Sequence, residues 1–136
     1  MTAIDPAWNM LALARRRLEA AGLRERCALL QATFPDVKVD RHDHAIVMGV
    51  MDYVPDPAAF LAALKPVITR SAVLSFPSEH WFRTPFRKMR YRLRRCPVYF
   101  YNTERIRTLC AAAHYSRIDI YKIPGAGMDY HVCLRP

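Results

Sequence analysis

DHAIVMGVMDYVPDP, residues Asp43 to Pro57, runs from an apolar core-like segment into a turn. Ala45-Ile46-Val47-Met48 has strand length, and a continuous apolar run predicts a strand buried on both faces, as in a parallel sheet. Gly49 follows, a residue that lets backbone come close to a ligand. Val50-Met51-Asp52-Tyr53 sets one acid and one phenol among apolar side chains, and Pro55-Asp56-Pro57 is turn chemistry leading into a helix. In an open parallel sheet, ligands bind just beyond the carboxyl ends of the strands. An ordinary strand-to-helix turn would use the same residues, and spacing alone does not separate the two readings.

On the amino-terminal side, Met1 to Ile4 reads as the end of a short strand with Asp5 at its tip. Pro6 then opens a helix, where its missing N–H costs nothing. Trp8, Leu11, Ala14, Leu18 and Ala21 recur at near-helical spacing, and Gly22 is a C-cap candidate. An acid between strand and helix suits a ribose diol, because its two oxygens accept both hydroxyls. It suits a helix N-cap equally well. Cys27 to Ala32 is a second short strand. His42 and His44 flank Asp43, but at i, i+2 with no further ligand nearby they do not form a metal motif.

On the carboxyl-terminal side, a helix is predicted from about Pro57 to Leu64, with Phe60, Leu61 and Leu64 as its packing stripe and Lys65-Pro66 ending it. Ala72 to Phe76 is the next strand, closed by Pro77. A helix from Thr103 to about Ala113 precedes two strands, Tyr115–Ile123 and Met128–Leu134. Pro124-Gly125-Ala126-Gly127 joins them as an antiparallel hairpin.

The 136 residues predict one domain, with 52% hydrophobic and 24% charged residues. No apolar run reaches the roughly 18 residues of a membrane span, and no secretory signal pattern opens the chain. Cys27, Cys96, Cys110 and Cys133 lack ligand spacing and read as reduced thiols, which points to a cytoplasmic protein. The net charge of +9 is local: His80 to Thr103 holds seven Lys and Arg and no acid, leaving +2 for the remainder. Within it Trp81, Phe82, Phe86, Met89 and Leu93 alternate with Arg83, Arg87, Arg90 and Arg94, an amphipathic basic element over about 80–96 that reads as a lid.

Together with Ala3 to Leu23, the Asp43–Pro57 stretch resembles the class I S-adenosylmethionine-dependent methyltransferases. Leu74 to Asn102 (LSFPSEHWFRTPFRKMRYRLRRCPVYFYN) is similar to the small-molecule branch around magnesium-protoporphyrin O-methyltransferase. The likeness covers nearly the whole chain and implies an α/β fold: a Rossmann-like, mostly parallel sheet ending in an antiparallel hairpin. The family's first strand and glycine-rich loop have no counterpart here, so the resemblance implies an N-terminally truncated fold with two open strand edges.

By the same resemblance, S-adenosylmethionine is the cofactor. Asp5, Trp8 and Met10 are placed near its ribose and adenine, Thr33 and Phe34 at the adenine, and Met48, Gly49 and Val50 beside the sulfonium. The acid that family members carry after the second of these strands is absent at Ala32-Thr33-Phe34. Met10 reads first as core, Trp8 equally as core or cradle, and Phe34 more readily as core. Tyr53 and His80 are the candidates to orient or deprotonate an acceptor, with ordinary boundary roles as the plain alternative. Arg83, Arg87 and Arg90 suit an anionic substrate, although such a segment also suits nucleic acid, an anionic membrane surface, or a solvated helix face. The expected function is O-directed methyl transfer to a small acceptor; the rival is an inactive fragment or a basic nucleic-acid or membrane-surface binding module.

Overall fold

In the computed structural model Thr2–Ile4 and Ala28–Leu30 are strands β1 and β2, paired in parallel with Thr2 against Ala28 and Ile4 against Leu30. The structure describes residues 1–78, 97–122 and 129–136. Two units form, Met1–Asp40 and Arg41–Pro136.

In the first unit, helix α1 (Trp8–Ala20) connects β1 to β2, followed by a short 3-10 turn at Arg24–Arg26. It begins two residues later than the sequence predicts. Ala7 is the N-cap and lacks a capping side chain, so Pro6 stands before the helix rather than in its first turn. The helix ends in a Schellman motif, with Gly22 N–H donating to Glu19 O at 3.0 Å and Leu23 N–H to Leu18 O at 2.8 Å. Gly22 sits at φ +66, the left-handed conformation this ending requires. Only Leu11 of the predicted stripe is buried; Trp8 and Met10 are 66% and 50% exposed, which overturns the core reading of Met10.

The second unit is a four-stranded sheet with helices on it. Its elements are β3 (His42–Val47), α2 (Pro57–Leu64), a 3-10 turn at Lys65–Val67, β4 (Ile68–Phe76), α3 (Thr103–Ala112), β5 (Arg117–Lys122) and β6 (Tyr130–Arg135). The strand order is β3-β4-β6-β5, with β3 and β4 parallel and the other two ladders antiparallel. Asp56 caps α2 by accepting from Ala59 N–H at 2.9 Å, and Asn102 caps α3 by accepting from Arg105 N–H at 2.8 Å.

Strand alternation builds the core. Ala72, Leu74 and Phe76 of β4 and Val132 and Leu134 of β6 are fully buried, as are Leu61, Ile106 and Cys110 on the helices. Each large apolar side chain so buried contributes about 1.5–3 kcal/mol. The Tyr115 hydroxyl donates to Leu61 O at 3.0 Å, fixing the segment after α3 to α2.

Two strand readings need correction. β3 is not buried on both faces: Val47 is buried but Ile46 is 78% exposed. Among the described residues β3 pairs with β4 alone, and Ile46 lies in register with Val73, on the sheet face away from Leu74. β4 begins at Ile68 rather than Ala72. Thr69-Arg70-Ser71 looks like loop by polarity, yet Thr69 Oγ1 donates to Asp43 Oδ1 at 2.6 Å and Ser71 Oγ bonds His44 Nδ1 at 2.9 Å across the ladder. The basic segment 80–96 lies outside the described residues, as does the hairpin's turn at 124–127. Among the described residues no helix is long and apolar enough to cross a membrane.

Candidate functional site

Gly49 stands two residues past β3 at φ +66, and a Cβ built there would meet nothing within 4 Å. Its N–H donates to Ser75 Oγ at 2.8 Å, tying the turn to the carboxyl end of β4. Met48 and Val50 beside it are 48% and 38% exposed, while Met51 is fully buried. The next turn closes through Tyr53 N–H to Val50 O at 2.9 Å, leaving Tyr53 46% exposed. The structure therefore gathers Met48, Gly49, Val50 and Tyr53 on one turn at the carboxyl end of β3. This is where an open parallel sheet presents ligand contacts.

Residues that the sequence reading passed over hold this turn in place. Tyr99 N–H donates to Asp52 O at 2.9 Å, and the Tyr101 hydroxyl donates to Met51 O at 3.1 Å. Tyr101 is itself fixed: its N–H donates to Pro77 O at 2.9 Å, and its ring meets Phe76 edge-on at 5.0 Å. The Arg105 guanidinium lies 4.9 Å from the same ring, and burial raises the phenol's pKa to about 12, so it stays a neutral donor. A serine among apolar residues in Leu74-Ser75-Phe76 was the one local signal for this network.

In the first unit Asp5 follows β1, and its Oδ1 accepts from Ala7 N–H at 2.7 Å. That is a two-residue Asx turn, so Asp5 shapes the approach to α1 without being its N-cap. Asp5 is half-buried, and its N–H donates to Leu30 O at 3.2 Å, which holds it at the end of β2. The parallel register thus brings Asp5 and the residues after β2 to one end of this small sheet; of these, Thr33 is exposed and Phe34 half-buried. Trp8 and Met10 open to solvent on the first turn of α1.

The geometry accommodates the groups that the resemblance implies. A half-buried carboxylate with one oxygen committed retains acceptor capacity for a diol, and the space at Gly49 admits close backbone approach. His80, Arg83, Arg87 and Arg90 lie outside the described residues. Asp43 is a surface group, held below the usual carboxylate range first by the Thr69 hydrogen bond and then by the Arg70 charge. Among the described residues no three His, Cys, Asp or Glu side chains gather as a metal site.

No protein-family model matches the chain, and no curated protein matches it. Solved structures do match in fold. A candidate O-methyltransferase from Nostoc punctiforme has TM-score 0.77 at 13% identity, over 99% of this chain and 44% of its own. Magnesium protoporphyrin IX methyltransferase from Synechocystis, solved with bound S-adenosylhomocysteine, has TM-score 0.71 at 16% identity, over 98% and 61%. An O-methyltransferase family 2 protein from Planctomyces limnophilus, in complex with apigenin, has TM-score 0.71 at 17% identity, over 98% and 42%. The chain has the fold of these proteins and spans 42% to 61% of their lengths.

Proposed function

We propose that the chain is one methyltransferase-like domain that uses S-adenosylmethionine to methylate an oxygen of a small, anionic acceptor in the cytoplasm. The observation that supports this reading most is the likeness of fold over 98% of the chain to a methyltransferase solved with the demethylated cofactor bound. When bound, the cofactor supplies a methyl group activated by a sulfonium, for in-line displacement.

The chain's own residues then have positioning work, which is where most of such catalysis lies. Asp5 accepts hydrogen bonds from the ribose hydroxyls. Thr33 and Phe34 border the adenine, with Trp8 and Met10 as exposed apolar surface beside it. Met48, Gly49 and Val50 form the backbone wall at the methionine end. Tyr53 orients the acceptor with its phenol, His80 takes the acceptor proton, and Arg83, Arg87 and Arg90 attract the acceptor's negative charge.

Calorimetric titration of the 136-residue protein with S-adenosylmethionine and S-adenosylhomocysteine tests this reading, alongside Asp5→Ala. Binding that the substitution weakens by about 1 kcal/mol or more, the scale of a hydrogen bond to a charged group, is the expected outcome. A folded protein that binds neither, but binds polyanions with steep salt dependence, would instead be a basic binding module.

A further inference from the structure

Two buried polar atoms near the carboxyl end of β4 have no hydrogen-bond partner among the described residues. His131, the second residue of β6, lies directly across the antiparallel ladder from Ser75. Paired residues project on the same face with Cβ atoms about 4.5–5.5 Å apart. Ser75 in turn accepts the Gly49 N–H, so the turn after β3, Ser75 of β4 and His131 of β6 form a row, with Ser75 and His131 on the face away from Leu74 and Val132. Within this row the Nε2 of His131 is buried and has no hydrogen-bond partner among the described residues. Ser78, three residues beyond Ser75, is 5% exposed and its Oγ is likewise buried without one. A buried polar atom left unsatisfied costs about 1–3 kcal/mol, and fully orphaned groups in a native fold call for a reason.

We infer that His131 is an acceptor-binding residue, its Nε2 hydrogen-bonding a hydroxyl or carboxyl oxygen of the small molecule that is methylated. This inference rests on the methyltransferase reading above and adds a residue to it. An imidazole nitrogen meets either partner, accepting from a hydroxyl or donating to a carboxylate according to tautomer. The position is appropriate, since the row begins at the Gly49 turn, where the cofactor's methionine end is proposed to lie. The Ser78 hydroxyl, two residues past the end of β4, offers a second contact to such an oxygen.

The test uses the 15N-labelled protein saturated with S-adenosylhomocysteine and a panel of hydroxybenzoates, 3,4-dihydroxybenzoate first, each carrying phenol and carboxylate groups. The His131 Nε2 resonance is followed during titration, and binding is compared in His131→Phe, with His131→Gln in reserve should the first misfold. Expected are a shift of the Nε2 resonance with at least one panel member and a loss of its affinity of about tenfold. Cofactor-product affinity should stay within about twofold, and the ligand-free melting temperature should not fall, because an orphaned nitrogen has been removed. Panel members that bind without moving Nε2, or that fail to bind the loaded protein at all, would overturn the role of His131 and leave the cofactor reading intact. Failure to bind S-adenosylhomocysteine would overturn both.

Discussion

The backbone N–H of Gly49 donates to the hydroxyl of Ser75 across 2.8 Å, joining the turn after β3 to the end of its parallel neighbour. Ser75 is 6% exposed, so its loss leaves a donor with restricted access to water. Ser75→Ala is expected to destabilise the fold by about 1 kcal/mol, read as a lower urea midpoint with an unchanged slope. Because the turn it holds is the proposed methionine-end wall, S-adenosylhomocysteine affinity should fall as well, and Ser75→Thr should recover both where its methyl group is accommodated.

Gly49 gives a sharper contrast. Its φ of +66 makes any side chain there strained, by about 1–2 kcal/mol, yet the space around a new Cβ is open. Gly49→Ala should therefore cost only that strain in the ligand-free protein. If the open space receives a cofactor, affinity should drop about tenfold or more in addition, whereas Gly49→Asn should recover stability, because Asn tolerates this conformation, without recovering affinity. Equal affinities in wild type and Gly49→Ala would remove this turn from the binding surface.

Tyr101 makes two separable contributions. Its hydroxyl donates to Met51 O at 3.1 Å, and its ring packs edge-on against Phe76. Tyr101→Phe keeps the packing and orphans the carbonyl, at an expected cost of about 1–2 kcal/mol; Tyr101→Ala adds a cavity and should cost about 3–5 kcal/mol. Amide exchange at Tyr53 and Tyr99, the donors that close the same turn, should accelerate in the Phe variant.

What could be read from the residues alone follows the range of the interactions involved. The bounds of α2 were legible because Asp56-Pro57 starts it and Lys65-Pro66 stops it, both local signals. Gly49 was picked out locally as a point of close backbone approach, but its left-handed conformation was not read. Apolar content could not tell that β3 has only one strand beside it among the described residues, so Ile46 read as core although it is exposed. Nor could polarity show that Thr69 and Ser71 extend β4, because their partners Asp43 and His44 are 26 and 27 residues away. The network of Tyr99 and Tyr101 was illegible for that reason too: the Tyr101 bond to Met51 spans 50 residues and leaves no periodic trace. Trp8 marks the opposite failure, since helical spacing describes a stripe but does not say whether anything covers it.

Alkaline pH should unfold the second unit through three buried groups. Burial raises Tyr101 from 10.0 to about 12 and Cys110 from 9.0 to about 12, and it raises Tyr115 as well. In each case the folded state keeps its proton at a pH where the unfolded chain has released it. The stabilisation is therefore fully present below pH 9, and it is lost as pH rises through the interval between 9 and 12. Each such proton contributes a slope of at most about 1.4 kcal/mol per pH unit. Urea midpoints by circular dichroism, under reducing conditions, should be flat from pH 7 to about 8.5 and then decline. The net charge of +9 shrinks over the same interval and relieves repulsion, which acts in the opposite direction. The two effects separate in Tyr115→Phe: its midpoint should be lower at neutral pH, because Leu61 O loses a donor, yet decline less steeply at high pH. A decline as steep as wild type would mean that the Tyr115 phenol does not drive the transition.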